Sequence, residues 1–270
     1  MRAALVLLGV LLASPAAWGQ IVHDLDADGD WNGREIAFDA TIAPGLGRYA
    51  LVGVTLAGTA ARVTSARLGT QAMELIVAAD AEGGGCRTEW WGLRDPALGD
   101  QAVRVVLTGD TIRAGANLIS YHGVDGRRPL GARGSARGAL PPSQVTLPSS
   151  PGSLVLDNVC GWGPASVIAN AGDHQTARWH WSTGSLSSAC SQSAGAGAVT
   201  MSWTAGGDMN MAWAVSGLVL NPSGQPVPPT DVQIGSAGCA AAGPGSGGLW
   251  LAALALFALR RREHPAGHRV

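Results

Sequence analysis

From Glu35 to Leu220 apolar positions recur with a period of two. Ile36, Phe38, Ala40 and Ile42 alternate with polar or small partners, the spacing that sends successive side chains to opposite faces of a strand. Residues 49–56 (YALVGVTL) form a near-continuous apolar run of strand length. Further strands are predicted over 72–79, 87–93, 101–108, 117–122, 154–161, 175–181, 199–204 and 211–220. Turn clusters separate them: Pro44-Gly45, Gly83-Gly84-Gly85, Asp95-Pro96, Gly109-Asp110 and Gly206-Gly207-Asp208. Each supplies the Gly or Pro that a reversing chain needs. No capped amphipathic helix intervenes. The pattern predicts an all-β body, a single β-sandwich over 20–220 with about ten strands in two packed sheets. Residues 126–142 (GRRPLGARGSARGALPP) are polar and Gly-rich and read as a long exposed loop.

Both ends break this pattern. Arg2 precedes an unbroken small and aliphatic run from Ala3 to Ala13, then Ser14-Pro15 and the small residues Ala17 and Gly19 ahead of Gln20. Residues 1–19 therefore read as a secretory signal peptide. At the other end, 221–237 (NPSGQPVPPTDVQIGSA) is a Pro-rich linker that cannot pack as helix or central strand. Residues 238–270 then run through Gly238-Cys239, a small-residue stretch, the apolar run Leu249–Leu259 and the triplet Arg260, Arg261 and Arg262. A helix from Gly238 to Leu259 would be about 33 Å long, enough to cross a bilayer core. The arginines would hold its end on the cytoplasmic side.

A Gly-Cys pair, a short spacer, an apolar helix and a terminal Arg cluster resemble the MYXO-CTERM sorting tail of myxobacterial surface proteins. The resemblance implies a sorting protease that acts near Cys239, with that residue modified and the body retained at the cell surface or outer membrane. Before processing, the tail would engage the membrane as a transmembrane helix. The eight residues after the triplet make this tail longer than is usual for the family. The body resembles a bacterial surface module with a jelly-roll or concanavalin-like sandwich. The likeness lies in LVGVTL, Trp90-Trp91-Gly92-Leu93 leading to Pro96, VRVVLTG, Gly123-Val124-Asp125, SLVLDNV and VTMSW followed by MAWAVSGLVL. It implies a fold and an extracytoplasmic setting, with no activity to transfer.

Charge narrows the partners. All 18 basic residues are Arg, and between the terminal segments thirteen of them face eighteen acids, a balance of −5. Such a body has no electrostatic footprint for nucleic acid. One acidic run stands out. Asp24, Asp26, Asp28, Gly29, Asp30, Asn32 and Glu35 fit D-x-[DN]-x-[DN]-G-x5-E, in which carboxylates and a backbone carbonyl wrap a calcium ion. The other reading is a solvated acidic turn.

The chain has four cysteines. With Cys239 in the tail, three remain in the body, and Cys160–Cys190 is the favoured disulfide because both lie at strand ends; Cys86 is then free or pairs between molecules. Ten tryptophans against two Tyr and two Phe are unusual. Trp179 and Trp181, two apart on a strand, face the same side and form either a platform for a surface glycan or a core filling. No G-x-S-x-G, H-E-x-x-H or Lys-bearing phosphate loop occurs. A carboxylate pair for glycoside cleavage would have to assemble from distant positions such as Asp157 and Asp173. The sequence thus predicts a non-catalytic display, adhesion or carbohydrate-binding protein. An envelope enzyme acting on polysaccharide and a purely structural coat are the alternatives.

Overall fold

The computed structural model describes residues 20–58, 60–108, 113–163, 167–206 and 211–224. The signal segment 1–19, most of the 221–237 linker and the 238–270 tail lie outside them, and with them Gly238, Cys239, Arg260, Arg261 and Arg262. Among the described residues no helix is long and apolar enough to cross a membrane.

The body is all-β, built from several antiparallel sheets. Its amino-terminal half holds β1 (Val22–Asn32), β2 (Glu35–Ile42), β3 (Tyr49–Ala57), β4 (Arg62–Leu68), β5 (Gln71–Ala72), β6 (Glu74–Asp80), β7 (Cys86–Arg94), β8 (Gly99–Thr108) and β9 (Ala114–His122). The carboxyl-terminal half holds β10 (Leu130–Gly138), β11 (Ser143–Pro148), β12 (Leu154–Trp162) and β13 (Val167–Ala171). It continues with β14 (Thr176–Thr183), β15 (Leu186–Ala194), β16 (Ala198–Gly206) and β17 (Ala212–Leu220). The first half forms one nine-stranded sheet ordered β5-β4-β8-β2-β1-β9-β3-β7-β6. The second forms a five-stranded sheet, β10-β17-β12-β15-β14, and a three-stranded sheet, β11-β16-β13.

The nine-stranded sheet folds over at β1. Residues from Val22 to Asp30 pair with β9, whereas Trp31 and Asn32 pair with Ile36 and Glu35 of β2. One strand thereby serves two layers, which close on a core including Ile36, Val52, Val54, Leu56, Val103 and Trp91. In the second half the five- and three-stranded sheets close on Val145, Leu147, Val159, Met201 and Trp203. A third core joins the halves: Leu51, Trp90, Ile119 and Tyr121 from the first meet Leu156 and Leu218 from the second. The result is four layers where the periodicity predicted two sheets. The cause lies in β3 and β17, whose side chains are buried on both faces almost without interruption.

This seam between the halves also carries polar groups. Thr55 Oγ1 and Ser188 Oγ lie 2.6 Å apart, and Thr88 Oγ1 and Ser216 Oγ 2.5 Å apart. Trp90 Nε1 donates to the Ser216 carbonyl at 3.2 Å, and Asn158 Nδ2 to the Val54 carbonyl at 3.2 Å. A satisfied buried hydrogen bond adds only about 0.5–1.5 kcal/mol, but leaving either partner alone costs more, so these pairs fix the register in which the halves meet.

Two expectations change. The 126–142 segment is not a loop throughout: β10 runs along the edge of the five-stranded sheet, paired with β17. Its glycines hid it, and packing needs one of them, since a Cβ on Gly134 would lie 2.9 Å from Leu147. β15 (LSSACSQSA) is not among the strands predicted from the sequence, yet its Ser187, Ser188 and Ser191 are buried and hydrogen-bonded.

The first and last described residues come together. Gly123 sits at φ 80° against the Gln20 carbonyl, where a Cβ would clash. Ser223 N donates to the Gly123 carbonyl at 2.7 Å, and Val124 bridges to Pro222.

Candidate functional site

The acidic run is strand, not loop. Leu25 and Ala27 pack against the amino-terminal core, while Asp26, Asp28 and Asp30 project from the opposite, exposed face. Gly29 is there for a close crossing: a Cβ on it would lie 2.5 Å from the Phe38 ring. Extended backbone holds alternate side chains about 6–7 Å apart and parallel, whereas calcium draws its oxygens to about 2.3–2.6 Å from one centre. The acids also have separate partners. Asp24 Oδ1 lies 2.5 Å from His122 Nδ1, and Asp26 Oδ1 lies 2.9 Å from His23 Nε2. Asp30 accepts from Trp181 Nε1 at 2.6 Å. Glu35 receives two bonds from Arg104, at 2.7 and 2.9 Å, which hold its carboxyl below the usual range. Among the described residues no three His, Cys, Asp or Glu converge as a metal site. The calcium expectation at Asp24, Asp26, Asp28, Asp30 and Glu35 is therefore corrected.

Trp179 and Trp181 do share a side, with ring centroids 6.2 Å apart and planes 10° from parallel. That side is the seam. Trp179 is only 9% exposed and belongs to the core between the halves; Trp181 covers Gly115. Stacked inward, Trp179 offers no open face for a sugar ring. The adjacent pair divides as a strand requires: Trp90 enters the seam and Trp91 the amino-terminal core.

The disulfide is Cys86–Cys160, not Cys160–Cys190, and Cys190 is a buried free thiol. In the β12–β15 register Cys190 stands opposite Asn158, two positions from Cys160. Such diagonal neighbours on one sheet lie about 7–8 Å apart, beyond disulfide reach. Cys86 instead faces Cys160 across the seam, with 6.3 Å between Cα atoms. Burial pushes the Cys190 thiol well up, and it accepts a hydrogen bond from Asn117 Nδ2 at 3.1 Å. A protonated, enclosed thiol is unreactive.

The buried carboxylates Glu89 and Asp157 are committed to structure. Glu89, 1% exposed, pairs with Arg87 Nε at 2.6 Å and accepts from Trp91 Nε1 at 2.9 Å. Asp157 lies inside the carboxyl-terminal half, where Ser191 N, Ser191 Oγ and Trp203 Nε1 donate to it at 2.8, 2.7 and 2.6 Å. Burial raises it from 3.8 to about 7 against the pull of those donors. Asp173 lies in an exposed turn. Asp157 has no open approach for a substrate.

Open grooves among the described residues include the following two. One, of about 480 Å³, lies along Leu25, Ala27, Asp39, Thr41, Asp100 and Gln101, where Thr41 Oγ1 already donates to Asp100 at 2.6 Å. The other, of about 410 Å³, lies where the halves meet and is lined by Tyr49, Glu74, Gly92, Arg94, Pro129 and Leu130. Its residues span more than eighty positions and follow no motif, so only strand register brings them together. The chain matches no family model, no curated protein and no solved structure.

Proposed function

We propose that this is an exported protein held at the cell surface, a non-catalytic display or binding module whose body stacks two jelly-roll-like sandwich halves. The observation that carries the reading is the Cys86–Cys160 bridge, which joins the two halves through buried sulfurs. Such bridges form and persist in oxidising compartments, in keeping with the secretory signal read at residues 1–19 and the sorting tail at 238–270. The non-catalytic part rests on how the buried acids are used. Glu89 and Asp157 tie strands together, as an open catalytic pair would not.

Fractionation followed by mass spectrometry of the mature form tests this. The expected result is recovery with the outer surface, an amino terminus at Gln20, a modified Cys239 and a linked Cys86–Cys160 peptide. Recovery from cytosol with reduced cysteines would overturn it.

A further inference from the structure

We propose that the groove between the two halves, beside the start of β3, binds a carboxylated sugar unit of an acidic polysaccharide. The proposal deepens the surface-module reading and rests on it only for where such a polymer is met.

Register assembles the groove. Tyr49 pairs with Arg94 across β3 and β7, and Glu74 pairs with Gly92 across β6 and β7. All four thus lie at one end of the layer that faces the carboxyl-terminal half, whose Pro129 and Leu130 close the other wall. Gly92 makes the space: a Cβ there would lie 2.6 Å from the Tyr49 hydroxyl and 2.6 Å from Ile76. The Tyr49 residue is 5% exposed, yet its hydroxyl has no hydrogen-bond partner among the described residues and lines the groove. Burial pushes this group up to about 12, so it remains a neutral donor and acceptor. Arg94, Glu74 and Arg133 are near enough for their charges to act on it. Arg94 and Glu74 are exposed and engaged in no ion pair among the described residues. Arg133 Nη1 reaches the Ile76 carbonyl at 3.4 Å, which keeps it beside the groove.

This set has a definite preference. The Arg94 guanidinium in the lining, with that of Arg133 nearby, offers planar, paired donors to a carboxylate. The Tyr49 hydroxyl and the Glu74 carboxylate supply a donor and acceptors for ring hydroxyls. Pro129 and Leu130 give the apolar surface that a pyranose C–H face covers, and about 410 Å³ is within the range of small-molecule sites. A uronate unit presents carboxylate and hydroxyls rigidly side by side. An acidic peptide would satisfy the arginines but bring further negative charge towards Glu74.

Calorimetric titration of the mature chain with short galacturonate, glucuronate and mannuronate oligomers tests the proposal, with a neutral glucose oligomer and poly-glutamate alongside. Expected are salt-sensitive binding to at least one uronate and none to the glucose oligomer. Arg94→Gln should weaken binding about tenfold or more, and Tyr49→Phe by about threefold to tenfold, both with an unchanged denaturation midpoint. Absence of binding to all three uronates would overturn the proposal. So would an Arg94→Gln variant that binds like the native chain, or poly-glutamate binding as tightly as a uronate. Because binding is read in solution, its failure leaves the fractionation result, and the surface reading it tests, to stand or fall separately.

Discussion

The outer and inner layers solve different problems with the same element. In β8 and β11 every second residue is exposed, and burial alternates along the strand. In β3, β12 and β17 nearly every residue is buried. An outer strand needs one apolar face; an inner strand needs two and must pair whatever polar atoms it carries. The comparison explains why Thr55, Thr88, Ser188 and Ser216 are fully buried yet hydrogen-bonded to one another. It also predicts that damage to the seam costs far more than damage outside it.

The largest effect should come from the bridge. Replacing Cys86 and Cys160 by Ser opens a loop closed over a separation of 74 residues, which the chain-entropy relation values at about 4–5 kcal/mol. Urea denaturation of the double variant should show that loss; a loss below about 1 kcal/mol would mean that the non-covalent seam alone holds the halves. Trp90→Ala, at a fully buried seam position, should cost about 3–5 kcal/mol. Val106→Ala, at a 36% exposed residue on the outer face of β8, should stay within about 0.5 kcal/mol. Equal losses at the two positions would mean that inner and outer strands carry the same share of the stability.

Acidity distinguishes the layers next. Asp157 holds its proton more tightly folded than unfolded, because burial raises it from 3.8 to about 7. Its contribution therefore favours the folded state most below about pH 4 and is lost as pH rises towards about 7, by roughly 2–4 kcal/mol. Asp157→Asn should flatten that part of the stability profile; an unchanged slope would place the titration elsewhere. The smallest effect concerns β1. A chelator should leave the thermal midpoint where it was, and a downward shift on chelation would restore a metal to the acidic strand.

How much of this could be read from residues alone depends on the layer. Alternation exposed β2 and β8, and continuous apolar runs exposed β3 and β17. A run buried on both sides does not say what covers its second face, so four layers looked like two. Strands rich in small residues, β10 and β15, carried no period at all, because their burial depends on partners in other strands. β1 misled for a physical reason: acids at every second position fit a calcium loop and an exposed strand face equally well. At the sites, spacing placed Trp179 beside Trp181 but could not say which side of the sheet was covered. The groove of Tyr49, Glu74, Gly92 and Arg94 had no local signature.

The meeting of Gln20 and Ser223 at Gly123 has a mechanical consequence. A pull applied between the two ends enters at a single point, so it peels the body there and does not stretch it lengthwise. β7 begins at Cys86 and ends at Arg94, close to that point through the Asp95–Arg48 backbone contact. Nine residues of strand, about 30 Å, therefore separate the load from the sulfur bridge. Under tension between Gln20 and Ser223 the halves would part near Gly123 first and stay hinged at the far end.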